Sequence, residues 1–459
     1  GVFRDMTQIR LEYPQYVAEN CTACGNCFSV CPDSAIPGLV NSISDVFETT
    51  ISRIETRGQP TVYLRRAARD VEKRLRALIE PVGEIAEVDK LLEQSVMATL
   101  SESELEDENK ERLEQELDWF RQAMGDFQFS ITKPYYLNHE KKAKNSGGLF
   151  SITINPYTCK GCMECIQACN DDALVATPQT PESITRLRQD WDFWLNLPTT
   201  RPEFIRIDDL DERIGALETL LLDKRNYGSL VSGDGSCLGC GEKSVIHLFT
   251  ATVTALMQPR VKKHLAKIDD LSERLERHIR LKLAESMDFT DTAVITEVLE
   301  SHKESELTLS TLSESLDSAH AAQPVDTEWL KTSTGLLKKL RHLKWLYSEG
   351  QTRQGRADMG IINATGCSSV WGSTYPYNPY PFPWTNHLFQ DSPSIALGVF
   401  QGHMTKMAEG FKAIRQAELE LAGEYRAQEH DEFFTYFTWE KFSEEEWLLC
   451  PPVVSIGGD

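Results

Sequence analysis

Apolar residues recur at helical spacing through several otherwise polar stretches of the chain. In "DVEKRLRALIEP" Val71, Leu75, Leu78 and Ile79 share a face, and in "KERLEQELDWFRQ" Leu113, Leu117 and Phe120 do the same. Pro81 and Gly83 predict the end of the first helix. A third stripe, Leu265, Ile268, Leu271, Leu275 and Ile279, lies in "VKKHLAKIDDLSERLERHIRLKL". "AAQPVDTEW" (321–329) reads as a linker, and "LLKKLRHLKWLY" as a basic helix after it. A strand-like run, Val453-Val454-Ser455-Ile456, leads into Gly457-Gly458-Asp459. No apolar stretch approaches the ~20 residues a membrane span needs. The start, "GVFRDMTQIRLEYP", has no hydrophobic signal core and begins with Gly1.

Length suggests roughly three domains of about 150 residues, and 41% hydrophobic residues allow buried cores. A net charge of −22 leaves little to neutralise phosphates, so nucleic acid is not an expected partner. These features together predict a cytoplasmic protein with no membrane association.

The 12 cysteines change the picture, because 11 of them fall in three clusters or beside a motif. In an acidic chain without a signal sequence, clustering points to metal rather than disulfides. "CTACGNCFSVCP" holds Cys21, Cys24, Cys27 and Cys31, and "CKGCMECIQAC" holds Cys159, Cys162, Cys165 and Cys169. Both read C-x2-C-x2-C-x3-C, the spacing of bacterial ferredoxins with two [4Fe-4S] clusters. Three thiolates on a tight loop cap three irons of one cubane, and the fourth reaches the other. Cys21, Cys24, Cys27 and Cys169 are therefore expected on one cluster, and Cys159, Cys162, Cys165 and Cys31 on the second. Gly25 and Gly161 suit close approach of backbone to sulfide. Zinc would call for two separated C-x2-C pairs. Asn170 replaces the usual proline after the fourth cysteine and removes no ligand. The 127 residues between the quartets, with "NSGG" marking the return, predict a helical insertion.

"SGDGSCLGCGEKS" contains Gly-Asp-Gly, the opening of a thiamine diphosphate motif, but lacks the preceding strand. Its cysteines, Cys237 and Cys240, form a lone C-x2-C, and Cys367 in "INATGCSSVWGSTYP" supplies a third thiol. Cys450 is a spare cysteine before a strand and reads as a buried thiol. Asn386 and His387 receive no role.

Two ferredoxin quartets, then C-x-G-C-G-E, N-A-T-G-C-S-S-x-W-G, the Pro383-Trp384 to Asp391 run and a strand ending Gly-Gly-Asp resemble the pyruvate:ferredoxin (flavodoxin) oxidoreductases. These are thiamine-dependent 2-oxoacid:acceptor oxidoreductases. The likeness covers about 1–40, 145–245 and 355–459. It implies an α/β and α+β multidomain chain. Residues 1–40 and 145–200 would form a split two-[4Fe-4S] ferredoxin domain, with a helical insertion at 41–144 and a linker at 201–230. Residues 231–254 and 351–459 would begin an α/β thiamine diphosphate-binding domain, interrupted by helices at 255–350. An internal fragment is expected, since Gly458 and Asp459 would open the magnesium motif, with Asp459 the first Mg2+ ligand. The resemblance further implies a third [4Fe-4S] cluster on Cys237, Cys240 and Cys367, and thiamine contacts from Glu242 and Cys367. A first-turn helix charge is the other reading of Glu242. The implied reaction converts a 2-oxoacid, foremost pyruvate, and coenzyme A to acyl-CoA and CO2, with electrons leaving to ferredoxin or flavodoxin. Such enzymes are usually homodimers. Two alternatives stand beside this: an iron–sulfur electron-transfer subunit without substrate chemistry, and a homologue that keeps the clusters as scaffolding.

Overall fold

The computed structural model describes residues 5–205, 213–233, 235–286, 326–372, 380–387 and 391–457. Contacts divide the chain into two units, one of Gly1–Ala255, Asn363–Tyr380 and Gly457–Asp459, the other of Leu256–Ile362 and Pro381–Ile456. Among the described residues no helix is long and apolar enough to cross a membrane.

In the first unit the strands are β1 (Glu12–Tyr16), β2 (Gly38–Ser42), β3 (Gly148–Ile152) and β4 (Leu174–Pro178). β1 pairs antiparallel with β4, and β2 with β3. Each ladder joins the strand before one cysteine loop to the strand after the other. Alternation along β2 and β3 feeds two cores. Val40, Phe150 and Ile152 turn toward the cysteine loops, while Leu39 and Leu149 turn toward the inserted helices. The sheet is thereby buried on both faces.

Helices Ile43–Thr56, Leu64–Val82, Val88–Ser101 and Asp107–Met124 fill the span between the quartets. Val71, Leu75, Ile79, Leu113, Leu117 and Phe120 of the expected stripes are all buried there. Phe47 meets Phe120 edge-on at 5.1 Å. Pro81 sits in the last turn of its helix, which stops at Gly83 (φ 69°). The buried Glu116 carboxylate accepts the N–H groups of Val62, Tyr63 and Leu64 at 2.9, 2.8 and 2.8 Å, satisfying donors that a helix start leaves open.

The described parts of the expected linker 201–230, residues 201–205 and 213–230, are packed rather than solvated. Phe204, Ile214, Leu221, Leu222 and Leu230 are buried in the core beneath the cysteine loops. A segment carrying that much apolar surface gains more by burial than by remaining a solvated connection.

In the second unit residues 256–286 of the helix Gly241–Ser286 pack with Thr327–Ser348 and Ser392–Ala422. Ile268, Leu271, Leu275 and Ile279 are buried and Leu265 is partly so. Strand β5 (Gly360–Ala364) lies between β6 (Trp384–His387) and β7 (Val453–Ile456). Of the expected linker 321–329, residues 321–325 lie outside the described residues, and Thr327 already begins a helix. Asp326 caps it by accepting the N–H groups of Glu328 and Trp329.

The expected union of 231–254 with 351–459 also differs from what is found. Residues 363–380 group with the cysteine loops, held by Gly233 N–H donating to Trp371 O at 2.9 Å. Residues 381–456 instead group with 256–362, because Ala413, Ile414 and Ala417 of the long helix complete the core around the third stripe. Cys450 packs beside Phe411 and Phe442 in a neighbouring apolar cluster. Burial pushes its thiol up to about 12, as befits a structural cysteine.

Candidate iron–sulfur centre

The two quartets form loops of matching backbone. Left-handed residues fall at equivalent positions: Ala23 (φ 63°) and Gly161 (φ 70°), Gly25 (φ 83°) and Met163 (φ 66°), Ser34 (φ 47°) and Asp172 (φ 52°). A one-turn helix follows in each, Asn26–Ser29 and Glu164–Gln167. These turns aim backbone N–H groups inward. Ala35 N–H donates to Cys31 Sγ at 3.2 Å, and the N–H groups of Ala23 and Gly161 reach Cys21 and Cys159. Sequence reading found the two glycines but passed over Ala23 and Met163, whose residue types give no sign of a positive φ.

The thiols sort across the loops. Cys31, Cys159, Cys162 and Cys165 line one small cavity together with Pro14 and Gly161. Cys21 lies among Tyr16, Cys24 and Cys169. Cys27 lies among Cys21, Cys165, Cys24 and Cys169, so it marks where the two groups approach. Burial pushes Cys21 up to about 11 and Cys31 up to about 12, and raises Cys27, Cys159 and Cys165 as well. Such thiols stay protonated until a metal displaces the proton. Buried thiols gathered from both loops, with backbone N–H groups turned toward them, fit a cubane cluster.

Charged groups surround the second group of thiols. Arg10 is buried, and its Nη1 donates to the carbonyls of Pro156 and Cys159 at 2.8 and 2.9 Å. Its Nε donates to Gln179 Oε1 at 2.6 Å. Lys160 and Lys243 both reach Asp33 Oδ1, at 3.2 and 2.6 Å. None of these four residues stands out in the sequence, since each finds its partners far along the chain.

The third cysteine set lies in the same unit. Cys237 and Cys367 are exposed and Cys240 is half-buried. Their surroundings meet at Trp371, whose carbonyl accepts from Gly233 and whose indole N–H donates to Glu242 Oε2 at 3.4 Å. A Cβ on Gly239 (φ +68°) would stand 2.6 Å from Glu164 Oε1, so the Cys237–Cys240 turn rests on the helix that carries Cys165. Glu242 lies in the first turn of its helix, as the alternative reading of that residue expected. Gly458 and Asp459 lie outside the described residues. His247, buried against Trp371 and bonded to Ser34 Oγ at 2.9 Å, is held neutral by burial and by Lys243.

Residues 14–36 match the 4Fe-4S binding domain family, so the chain carries an iron–sulfur domain of that class. More particular likenesses follow. A pyruvate dehydrogenase (NADP+) of Cryptosporidium parvum is 44% identical over 52 residues, 10% of this chain and 3% of that protein. The pyruvate-flavodoxin oxidoreductase of Enterobacter agglomerans is 43% identical over 51 residues, 10% of this chain and 4% of that protein. The mitochondrial pyruvate dehydrogenase (NADP+) of Euglena gracilis is 25% identical over 128 residues, 28% of this chain and 6% of that protein. All three relatives are oxidoreductases by name, and the matched segments span 3% to 6% of their lengths.

Proposed function

We propose that this chain carries the electron-conducting part, and one edge of the thiamine site, of an enzyme that oxidatively decarboxylates a 2-oxoacid, pyruvate first among them. Coenzyme A would take the acyl group, and ferredoxin or flavodoxin the electrons. Thiamine diphosphate with Mg2+ would supply the carbanion chemistry, and iron–sulfur clusters a store for single electrons. Cys21, Cys24, Cys27 and Cys169 would hold one [4Fe-4S] cluster, and Cys31, Cys159, Cys162 and Cys165 the second. Cys237, Cys240 and Cys367 would hold a third, with Asp459 a magnesium ligand. Glu242 and Cys367 would face thiamine, with Glu242 steadied by the Trp371 indole.

The observation that carries this reading is the seat of the C-x-G-C-G-E turn. It lies against Glu164 and Lys160 of the second loop while Trp371 ties it to the Cys367 segment. An electron-transfer subunit has no need of a third cysteine set beside a carboxylate that an indole holds in place. On this reading the Cys237 group would stand beside the Cys31 group, with the Cys21 group outermost. A homodimer and a cytoplasmic setting complete the proposal.

The test is anaerobic and uses the protein as its gene encodes it, with thiamine diphosphate, magnesium and coenzyme A. Viologen reduction is followed with pyruvate, 2-oxoglutarate and branched 2-oxoacids. Reduction that needs both coenzyme A and one 2-oxoacid is the expected result. Intact clusters that no 2-oxoacid reduces would leave an electron carrier instead.

A further inference from the structure

Lysines are seldom buried, yet the side chains of Lys243 and Lys160 are 0% and 6% exposed, and that of Asp33, which they share, is 3% exposed. Lys243 Nζ donates to Asp33 Oδ1 at 2.6 Å and to Gly233 O at 2.9 Å. Lys160 Nζ donates to Ser236 O at 3.2 Å and Ser236 Oγ at 3.0 Å, and lies 3.2 Å from Asp33 Oδ1. Three segments are thus joined at one point: the turn after Cys31, the residue after Cys159, and the loop that leads into Cys237. Asp33 and Lys160 also line the cavity of the Cys31 group. Among the described residues, the strongest charges acting on Cys21 and Cys27 are those of other thiols.

Two cations held in a dry interior beside a redox site act on it with little screening. Accepting an electron adds negative charge, and a nearby ammonium favours that form. We propose that Lys160 and Lys243, joined through Asp33, raise the reduction potential of the cluster on Cys31, Cys159, Cys162 and Cys165 above that of its neighbour, and pin the Cys237–Cys240 loop beside it. The site facing the third cysteine set is then the readier acceptor. These are positioning residues, since they act through the cysteines they flank. The inference rests on the reading of the quartets as [4Fe-4S] ligands and is independent of the substrate.

The experiment is an equilibrium redox titration of the anaerobically purified full-length protein. Dithionite with mediator dyes is the reductant, each cluster is followed by EPR, and iron and sulfide are assayed in parallel. Lys243→Met should move the midpoint potential of the Cys31 cluster negative and Asp33→Asn should move it positive, with the midpoint of the Cys21 cluster unmoved. Lys243→Arg, which keeps the charge, should hold the wild-type value. Midpoints that stay put, that move in the same direction in both variants, or that move equally for both clusters would overturn the proposal, as would loss of the clusters in both variants. Wild-type protein that takes up no cluster would sink the reading of the quartets and this inference with it. Pyruvate plays no part in the measurement, so a failure of the proposed substrate leaves it standing.

Discussion

The two cysteine loops have the same backbone and different surroundings. Both pass through left-handed conformation at the same three places, although the residue types disagree, with alanine facing glycine, glycine facing methionine and serine facing aspartate. If glycine alone dictated those turns, Ala23 and Met163 would relax, because a left-handed L-residue costs roughly 1–2 kcal/mol. They do not relax, so the demand comes from where the thiols and N–H groups must point. The surroundings show the opposite. Arg10, Lys160 and Lys243 attend the group of Cys31, Cys159, Cys162 and Cys165, while Tyr16 lies close to Cys21 in the other group. The backbone repeats what any cluster of this kind needs, and the charges give each site its own character.

The largest effect that could break this comparison is the crossing of the fourth cysteines. Cys169→Ser should damage the same cluster as Cys24→Ser, and Cys31→Ser the other. The double variant Cys24→Ser with Cys169→Ser should therefore lose no more iron and EPR intensity than either single variant. Cys24→Ser with Cys31→Ser should lose both signals. If the first pair were additive and the second not, each loop would hold its own cluster and the crosswise grouping of thiols would be wrong.

Next in size is Gly161→Ala. Its new Cβ would adopt φ near +70° and stand 2.6 Å from the Glu12 carbonyl oxygen in β1, which cannot swing aside as a side chain could. Strain and the forced shift of a strand together predict a loss of about 2–4 kcal/mol in chemical denaturation. The equivalent position in the first loop is already an alanine, Ala23, held at φ 63°. An unchanged stability for Gly161→Ala would mean that the loops do not share this conformation.

How much of this was legible beforehand depends on the range of the interaction. Spacing within a quartet is local, and so are the stripes at Val71 to Ile79 and Ile268 to Ile279, which bury as periodicity suggests. The misread segments depend on distant partners. Residues 201–230 look like a connection until Phe204 and Leu222 are seen in a core built by strands far upstream. Lys160 reads as a solvated cation within "CKGC", and only folding brings Asp33 and Ser236 to it. The division of 351–459 between two units escaped for the same reason, since Trp371 and Ile414 answer to different neighbours. The outline of the chemistry lies in the cysteine spacing, whereas the charges around it come from long-range contacts.

The smallest prediction is also the finest probe of the shared backbone. Met163→Gly removes a left-handed side chain, relieving about 1–2 kcal/mol of strain, while glycine returns about 0.5–1 kcal/mol of entropy to the unfolded chain. The balance is a gain of about 0.5–1 kcal/mol, measurable as a rise in the denaturation midpoint of the metal-loaded protein. Ala23→Gly should behave alike, because its φ is nearly the same. Gly25, the glycine that matches Met163, already holds φ 83° without that strain and has no room for a side chain, since an added Cβ would meet Glu218 Cβ at 2.6 Å. Gly25→Ala should therefore destabilise while Met163→Gly stabilises. Opposite signs at equivalent positions are what one backbone in two packings requires; equal signs would show that the resemblance of the loops stops at their cysteines.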